Sequence, residues 1–490
     1  MSRAPFAARV VLPLAALVLV VEILFANGYG YHRDELYFRT AARHPAVAYD
    51  DQGALTPFVG RFDETVFGRT PRGLRVASAL VVAAAVVLVA LLARELGAEA
   101  RGQIVATAGA AGAGFVLALG HILSTTTFDL AVWLGTLLVV ARLLAGGDQR
   151  LWLVVGALVG VGLENKQLPL LLVVALAVGL ALDRKLLGLL RSRWLWLGAA
   201  LGVAIWLPNL LWQAAHDWPQ LALAEDIRRD DGAENRTTLL PLQILLVGPP
   251  LAPVLAVGLW ALLRDVTLRP WRALGIAYLV LLALVFASAG RPYYTAPYLL
   301  CLLAVGSVVI GRWLTTRARV AAVGGALVLN AAVAVAIVLP VVPADRLEST
   351  PIPDLDEDAI EMVGWPQLAR TVSRVYASLP ADERRTAVVF TGNYGEAGAI
   401  DRFGPALGLQ RAYSGHNAYA RFGIPPGSAG PVIVLGYDDP SVDFRACRRA
   451  ATIDNGAGLD NEEQGGAVFV CAGPREAWAR EWGRLRHLDA

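Results

Sequence analysis

Long apolar segments recur through residues 1–342 and constrain the fold more than any other feature of the sequence. A helix needs about 20 predominantly apolar residues to cross the hydrocarbon layer of a bilayer. We therefore predict a membrane-embedded bundle of about eleven spanning helices, the fifth and sixth of them short. The predicted spans are residues 10–26, 73–93, 104–120, 130–144, 151–163, 168–182, 194–212, 239–263, 273–289, 293–310 and 320–341.

The remaining residues have the composition of a soluble domain. Short β-like runs occur at residues 387–391, 432–436 and 467–471, and a helical pattern occurs at 365–379. Such a mixture is typical of a small α/β domain. We predict a mainly α fold class, with a polytopic helix bundle over residues 1–342 and a small α/β C-terminal domain over residues 343–490. A first external loop would span 27–72, and the proline- and acid-rich stretch 343–358 would be a linker.

Charge distribution predicts the partners and the orientation of the bundle. The charged fraction is 17% and the net charge +2, with no basic stripe, which argues against a nucleic-acid partner and in favour of the lipid bilayer. Basic residues mark the N-terminus and every second junction between spans. By the positive-inside rule these ends are cytoplasmic, and with eleven spans the tail is extracytoplasmic, at the plasma membrane. The basic residues are Arg3, Arg9, Arg94, Arg101, Arg142, Arg150, Arg184, Lys185, Arg191, Arg193, Arg264, Arg269, Arg272, Arg312, Arg317 and Arg319.

Two smaller questions stay open at this point. The first apolar stretch has the length of a signal peptide, but no clear small-x-small cleavage site follows it, so a retained anchor is favoured. Cys447 and Cys471 both lie in the tail and would be able to pair in an oxidising compartment. Their spacing alone does not show whether they do.

Two carboxylates follow the first predicted span by about eight residues, at the lipid–water boundary. One of Asp34 and Glu35 can act as general base on an acceptor hydroxyl, while the other orients a partner or holds a cation. The alternative interpretation is a helix start, in which both acids meet the positive end of the helix dipole. The pair therefore predicts either a catalytic site or a stabilised helix terminus.

The same loop holds a second acidic pair and several arginines. Asp50 and Asp51 precede Gln52, and a solvated turn is the alternative interpretation of this pair. Arginine suits phosphate groups because its planar fork donates two parallel hydrogen bonds. Arg61 is one candidate for that role, although most loop arginines simply face water or lipid headgroups.

Further ionisable residues are predicted to lie at the same outer rim of the bundle. Asp129 begins the fourth apolar run, and an ionisable group at membrane depth usually faces the bundle interior or a wet cavity. His121 precedes it, and Lys166, Arg291 and Tyr293 stand at two other external junctions. Each is more often structural when considered alone, but their shared side predicts a common site.

These residues, in this order, resemble the glycosyltransferases of family 39, membrane enzymes of the GT-C fold that include protein O-mannosyltransferases and aminoarabinose transferases. The resemblance covers most of the chain through short motifs that are individually weak. They are Asp34-Glu35, Asp51-Gln52, Leu55-Thr56-Pro57, residues 121–124, Phe128-Asp129, Asn165-Lys166, residues 208–213, Pro292-Tyr293-Tyr294, residues 391–398 and residues 414–417.

The resemblance implies a polyprenyl-phosphate sugar as donor, an extracytoplasmic acceptor and inversion at the anomeric carbon. It places the catalytic carboxylate at Asp34, with Glu35 and Asp129 as further catalytic candidates. The predicted substrate-binding residues are Asp51, Gln52, Arg61, His121, Lys166, Arg291 and Tyr293. The glycolipid, polysaccharide or protein that accepts the sugar does not follow from the family.

The sequence departs from the family at the turn after Asp51. Members often have two prolines there, where this chain has Gly53 and Ala54. Aminoarabinose transferases place a phosphate-binding lysine near this turn, and Gln52 carries no charge. The order of preference for a phosphate-binding cation is therefore Lys166, Arg291 and Arg61.

No cofactor is predicted, and no residue spacing indicates a dedicated metal site, although a divalent ion is not excluded. A multi-pass transporter with an external accessory domain is the main alternative function. Transport would favour ionisable groups near mid-membrane and paired broken helices. A sensor with a ligand-binding tail is a second alternative, which would leave the loop acids unexplained.

Overall fold

The computed structural model describes residues 3–183, 187–427 and 430–489, so Arg184 and Lys185 of the predicted basic junctions lie outside the described residues. The chain divides into two compact units. We call Met1–Ala26, Gln52–Thr56 and Arg75–Leu339 the membrane unit, and Asn27–Asp51, Pro57–Leu74 and Pro340–Ala490 the tail unit. The predicted boundary at residue 342 stays a prediction.

Helices account for nearly all of the regular structure before residue 340. They are α1 (Ala8–Phe25), α2 (Arg33–Ala41), α3 (Leu55–Phe67), α4 (Pro71–Leu74), α5 (Val76–Glu95), α6 (Ala100–Ala111), α7 (Gly114–His121), α8 (Thr125–Leu144), α9 (Leu151–Leu163), α10 (Pro169–Leu182), α11 (Leu187–Leu190), α12 (Arg193–Ala215), α13 (Pro219–Asp230), α14 (Gly232–Val247), α15 (Ala252–Arg264), α16 (Arg272–Ser288), α17 (Ala296–Trp313) and α18 (Arg317–Val338).

The predicted apolar segments all coincide with helices. Within the described residues, seven helices are long and apolar enough to cross a membrane, and the count rises to nine if two bent pairs each form one span. The pairs are α6 with α7, bent by 54°, and α14 with α15, whose axes differ by 91°. The two short predicted spans are α9 and α10. The predicted fold class is confirmed, while the number of eleven crossings stays a prediction.

Small residues allow α9 and α12 to pack with their backbones in contact. Both helices carry a G-x-x-x-G pattern, which favours close helix approach in lipid. A Cβ atom on Gly156 would lie 1.9 Å from the carbonyl oxygen of Gly198, and one on Gly160 would lie 2.8 Å from that of Gly202. The two patterns therefore meet face to face.

The predicted cytoplasmic junctions gather at one end of the membrane unit. Arg3 and Arg142 both bind the carboxylate of Glu95, with N–O distances of 2.7 and 3.2 Å. Arg101 donates to the carbonyl oxygen of Leu314 at 2.6 Å. The N-terminus and the junctions after α5, α8 and α17 thus lie together, as alternate junctions must. Which compartment this end faces stays a prediction.

The tail unit is built around a sheet. Its strands are β1 (Val388–Thr391), β2 (Ala412–Ser414), β3 (Val432–Leu435), β4 (Phe444–Arg445), β5 (Arg448–Thr452), β6 (Ala467–Cys471) and β7 (Gly473–Pro474). Its later helices are α19 (Ile352–Leu355), α20 (Glu357–Ile360), α21 (Trp365–Ala377), α22 (Ala381–Arg384), α23 (Tyr394–Phe403) and α24 (Trp478–Leu485). The three predicted β-like runs coincide with β1, β3 and β6, and the predicted helix coincides with α21.

Strand order in the described part of the tail unit is β2-β1-β3-β6-β5, with a separate β4-β7 pair. β2, β1 and β3 are parallel, and β6 and β5 run antiparallel to their neighbours. The chain leaves β1 through α23 to reach β2 on one side, whereas β3 lies on the other side of β1. The carboxyl ends of β1 and β3 therefore flank a point at which the strand order reverses, where open α/β sheets usually bind ligands.

A cluster of aromatic side chains packs against the sheet. Phe390 on β1 packs against Phe444, Trp478 and Trp482, with ring centroids 5.4 to 6.2 Å apart. All four residues are buried. Cys447 and Cys471 form a disulfide beside this core, which answers the question that their spacing left open.

The stretch 343–358 is folded, so its interpretation as a linker is wrong. It forms a 3-10 helix at Ala344–Ser349, then α19 and the start of α20. Leu347 and Ile352 are buried in a cluster with Leu459. The proline- and acid-rich composition predicted a linker, but these two buried apolar residues pack the stretch against the tail unit.

Helix α2, from the first predicted external loop, packs against α23 of the tail. A Cβ atom on Gly398 would lie 2.7 Å from the Cβ of Leu36. Glycine at this position therefore allows the two helices to approach closely. The first loop and the C-terminal sheet consequently form parts of one compact unit.

We expect Gly156→Ala to destabilise the membrane unit, because the added methyl group would meet the backbone of α12 at 1.9 Å. Overpacking of this kind costs about 1–3 kcal/mol. The matched control is Gly325→Ala in α18, where a Cβ meets nothing within 4 Å. Thermal denaturation in detergent should show a lower midpoint for Gly156→Ala alone. Equal midpoints would show that the two helices do not pack through these glycines.

Candidate active site

The predicted site residues divide between the two units. Asp34, Glu35, Asp51 and Arg61 belong to the tail unit, and Gln52, His121, Asp129, Lys166, Arg291 and Tyr293 belong to the membrane unit. Each set is built by its own local structure.

Glu35 closes the start of α2. Its carboxylate accepts a hydrogen bond from the backbone N–H of His32 at 2.9 Å, and the side chain of His32 accepts one from the N–H of Asp34 at 3.2 Å. This is a capping box, with His32 in place of the usual Ser or Thr. Glu35 is fully buried, so the helix-start interpretation of the acidic pair is confirmed for this residue.

Asp34 has different surroundings. Its carboxylate is half-buried, and Oδ1 accepts a hydrogen bond of 2.8 Å from the hydroxyl of Tyr394 at the start of α23. Burial, together with the nearby Asp34, raises the pKa of Tyr394 well above its usual value. The phenol therefore stays protonated and donates. The guanidinium of Arg33 lies over the same ring, 5.1 Å from its centroid.

Asp51 joins this group through a second tyrosine. The hydroxyl of Tyr37 donates to Oδ1 of Asp51 at 2.6 Å, and the ring of Tyr37 lies 4.8 Å from that of Tyr394. Two tyrosines whose rings meet at a tilt of 31° thus connect the carboxylates of Asp34 and Asp51. Each phenol fixes one carboxylate in a defined direction.

Two neighbouring residues of the loop have other partners. Asp50 is buried and accepts two hydrogen bonds from Arg421, at 2.6 and 2.8 Å, so the solvated-turn interpretation is wrong for this residue. Arg61 is exposed, and its guanidinium donates to the carbonyl oxygen of Ala42 at 3.3 Å.

In the membrane unit, Asn165 links three segments of the chain. Its amide group donates to Oδ1 of Asp129 at 3.2 Å and to the carbonyl oxygen of Thr125 at 2.7 Å, and its own Oδ1 accepts from the hydroxyl of Thr56 at 2.6 Å. Asp129 is fully buried inside α8 and interacts electrostatically with Lys166. Among the described residues, the second carboxylate oxygen of Asp129 has no hydrogen-bond partner.

Lys166 also meets the second predicted external junction. Its ammonium lies 5.8 Å from the ring centroid of Tyr294, whose ring stands edge-on to that of Tyr293 at 5.1 Å. Arg291, two residues before Tyr293, forms an ion pair of 3.0 Å with Asp231. Both cations thus lie near an acid: Lys166 near the buried Asp129 and the ring of Tyr294, and Arg291 in its ion pair with Asp231.

The turn at Gln52 is fixed by backbone contacts. The N–H of Gly53 donates to the carbonyl oxygen of Asn165 at 2.9 Å, and a Cβ atom on Gly53 would lie 2.0 Å from the carbonyl oxygen of Glu164. A proline would remove this donor and enter occupied space, which explains the departure from the family pattern. Gln52 is buried, and its side-chain amide has no hydrogen-bond partner within the described ranges.

His121 belongs to a different buried cluster. Its Nδ1 lies 3.8 Å from a carboxylate oxygen of Glu22, and its Nε2 lies 3.4 Å from a guanidinium nitrogen of Arg75. Arg75 in turn donates to the carbonyl oxygen of Ala26 at 2.8 Å. These contacts tie α1, α5 and α7 together and give His121 a structural environment.

Several residues of these clusters were not among the predicted site residues. Tyr37, Tyr394, Thr56, Asn165 and Arg421 all hold predicted acids or their neighbours. Four of them stand in or beside the family motifs, which was the available signal. Arg421 had none, because its partner Asp50 is 371 positions away in the sequence.

A cavity of about 860 Å³ opens in the tail unit at the carboxyl ends of β1, β2 and β3. Glu396 lines it and also caps α23, accepting from the backbone N–H of Asn393 at 3.3 Å. Burial, with Glu463 nearby, raises the pKa of Glu396 to about 8. Burial, with Glu462 nearby, likewise raises the pKa of Glu463 to about 7. The cavity therefore holds Glu396, which is mostly protonated at neutral pH, and Glu463, which titrates near neutral pH.

Within the described residues, no group of three or more His, Cys, Asp or Glu side chains is arranged to hold a metal ion. That the protein needs no metal stays a prediction.

We expect the stability of α23 to fall between pH 5 and pH 8. Glu396 has a folded-state pKa of about 8 against 4.5 for the free side chain, so the folded state retains a proton that the opened state loses. Its favourable contribution is complete below pH 4.5 and is lost as the pH rises through this window. Glu396→Gln keeps the cap and removes the titration, so it should reduce the fall by at least about 1 kcal/mol, the equivalent of one pKa unit.

Hydrogen exchange of the 394–403 amides, corrected for intrinsic rates, measures this change. Glu463 titrates in the same window, so some pH dependence should remain in the variant. An unchanged fall in Glu396→Gln would show that Glu396 is ionised in the folded protein at neutral pH.

Comparison with known proteins addresses the family and the fold. The family model described as dolichyl-phosphate-mannose-protein mannosyltransferase matches residues 51–212. Among curated proteins, none matches the sequence significantly.

Two solved structures of ArnT from Cupriavidus metallidurans are similar to the chain, one bound to undecaprenyl phosphate and one in the apo state. Each superposes with a TM-score of 0.56 at 15% identity over 94% of this chain, and over 98% and 97% of the ArnT chain respectively. At this identity the likeness establishes the fold. The chain is thus a multi-pass membrane protein with the GT-C fold, and the predicted resemblance is confirmed.

Proposed function

We propose that this protein is a membrane glycosyltransferase that moves a sugar from a polyprenyl-phosphate donor to an extracytoplasmic acceptor with inversion. The observation that carries the proposal is the setting of Asp34. It is a half-buried carboxylate that a protonated tyrosine holds at the first turn of α2. The family match at residues 51–212 supports the reaction class.

Asp34 is proposed as the general base. The acceptor hydroxyl attacks the anomeric carbon from the face opposite the phosphate and forms the new C–O bond. The bond between the anomeric carbon and the phosphate oxygen breaks, and polyprenyl phosphate leaves with the bonding electron pair. Asp34 takes the hydroxyl proton, a contribution of about 10²–10⁴ in rate.

Glu35 and Asp51 are proposed to position Asp34. The Glu35 carboxylate is occupied by the N–H of His32, so it fixes the start of the helix that carries Asp34. Asp51 fixes Tyr37, whose ring packs on Tyr394, the donor to Asp34. Both acids thus act through other residues.

Lys166 is proposed to stabilise the departing phosphate. Its charge lies beside the buried Asp129 and an aromatic face, and a cation aimed at developing negative charge is an effective catalytic element. Arg291, which pairs with Asp231, and Arg61, which donates to a backbone carbonyl, follow Lys166 in the predicted order of preference. Asp129 is proposed to orient Lys166. The similar ArnT structure bound to undecaprenyl phosphate supports a donor of this chemical type.

Two observations support an extracytoplasmic tail. The Cys447–Cys471 disulfide suits an oxidising compartment. The basic junctions lie together at one end of the membrane unit, as the positive-inside rule requires of the cytoplasmic end. We therefore propose a plasma-membrane protein with a cytoplasmic N-terminus.

We expect Asp34→Asn to lose sugar transfer by about 10²-fold or more, because an amide cannot take the hydroxyl proton. The measurement is transfer from radiolabelled polyprenyl-phosphate sugars to envelope lysate, in membranes with equal amounts of protein. Asp382→Asn, an exposed residue of α22, is the matched control and should keep full activity. Undiminished transfer by Asp34→Asn would remove this residue from the mechanism. No transfer by the wild type across a broad panel of donors would favour the transporter.

We expect Lys166→Met to reduce kcat for transfer by about 10²-fold, the size of effect seen when one charge-stabilising donor is removed. Methionine keeps a flexible apolar stem of similar length and removes the charge. Arg291→Met and Arg61→Met carry the same charge change and should cost less than about tenfold if the ranking is right. A larger loss in either arginine variant would reassign the phosphate-binding role.

A further inference from the structure

We propose that the tail-unit cavity binds a neutral saccharide portion of the acceptor and presents its hydroxyl to Asp34. This inference rests on the proposed function and adds the chemical class of the acceptor. The cavity, which we call the saccharide pocket, lies wholly within the tail unit.

The saccharide pocket stands where the sheet topology favours a ligand. It is lined by residues that directly follow three parallel strands: Gly392 and Asn393 after β1, His416 soon after β2, and Gly436 and Tyr437 after β3. Because the strand order reverses between β1 and β3, their loops separate and leave a crevice. The volume of about 860 Å³ is in the range of small-molecule sites and would hold several sugar rings.

The lining matches the chemistry of a sugar. A pyranose presents neighbouring hydroxyls that both donate and accept hydrogen bonds, together with an apolar face formed by its C–H groups. Carboxyl and amide side chains can pair with such hydroxyls, and an aromatic ring can cover such a face. The pocket offers these groups in Asn393, Glu396, Asp438, Glu463, Tyr437 and Phe469.

The charges of the lining residues favour a neutral ligand over an anionic one. The cavity is lined by five acids and two arginines, and one of these, Arg33, already pairs with Glu462 at 2.7 Å. When Glu396 and Glu463 are protonated, three ionised acids still face the two arginines, so an anionic ligand would meet a small acidic excess. Near neutral pH the buried Glu396 is mostly protonated and the buried Glu463 titrates, so each can donate as well as accept. Burial, with His487 nearby, lowers the pKa of His416 to about 4, so this ring adds no positive charge.

The pocket also adjoins the proposed base through two chain connections. Arg33 lines the pocket, and Asp34 is the next residue. Asn393 lines it as well, and the next residue is Tyr394, whose hydroxyl binds Asp34 at 2.8 Å. Asp34 and Tyr394 do not themselves line the cavity, so a bound saccharide is proposed to extend from the pocket past Arg33 and Asn393 to the carboxylate of Asp34.

The test measures saccharide binding to the full-length protein in detergent by isothermal titration. The neutral probes are maltoheptaose, α-1,6-linked mannohexaose and an arabinan hexasaccharide. A heparin-derived hexasaccharide of similar length is the anionic comparison. We expect at least one neutral probe to bind, with the anionic probe at least tenfold weaker.

Ala467→Phe provides the blocking variant, because Ala467 lines the pocket and the added ring would occupy it. Ala479→Phe, at an exposed position of α24, is the matched control. We expect at least tenfold weaker binding for Ala467→Phe and unchanged binding for the control. Asp438→Ala, a truncation at the exposed rim, should weaken binding at least threefold even if Ala467→Phe fails to fold.

Three results would overturn the proposal: no neutral probe binds, the anionic probe binds as tightly, or neither pocket variant weakens binding. Asp34→Asn separates this proposal from the proposed function. That variant should lose sugar transfer and keep saccharide binding. Transfer that survives in Asp34→Asn would contradict the catalytic role while leaving the pocket assignment intact.

Discussion

The close approach of α2 to α23 is the contact on which the candidate site depends. It is possible because Gly398 presents no side chain to Leu36, so the two helix surfaces come together without a gap. This packing sets the start of α2 beside the start of α23, and Asp34 and Tyr394 are then within hydrogen-bond distance. A segment that follows the first membrane helix is thereby built into a domain encoded more than 300 residues later. The catalytic candidate is held by α23 as well as by its own loop.

Buried acids in both units are given partners, as the cost of an isolated buried charge requires. Glu35 caps a helix, Asp50 is held by Arg421, and Asp129 accepts from Asn165. Asp34 differs because its carboxylate is only half-buried while its direction is fixed by one phenol. A proton acceptor needs both access and orientation, and this carboxylate combines them. The acids of the pocket reduce this cost in another way. Burial raises the pKa of Glu396 and of Glu463, so both retain protons at a higher pH than a free side chain does.

The helices of the membrane unit are joined by close packing and by buried hydrogen bonds. Glycine pairs bring α9 and α12 into backbone contact, and single amides such as Asn165 connect separate segments through buried hydrogen bonds. Lipid supplies little hydrophobic drive between helices, so close packing and polar links carry more of the association. The position of Lys166 follows from this arrangement, because it is the residue next to Asn165. Its charge therefore lies near Asp129, which accepts a hydrogen bond from the neighbouring Asn165.

The sequence by itself determined the class of the molecule and the placement of its helices. Spans are encoded by contiguous apolar residues, and three strands of the tail are encoded by short β-branched runs, so both could be located without a structure. The family motifs also singled out Asp34, Asp129 and Lys166. Only the tertiary structure decided that Glu35 caps the helix while Asp34 stays accessible to an acceptor. It also showed that the stretch 343–358 packs against the tail unit. Pairs such as Asp34–Tyr394 and Asp50–Arg421 join residues more than 350 positions apart. Such pairs form because whole helices and strands pack together, and a local sequence pattern does not indicate which distant elements will pack.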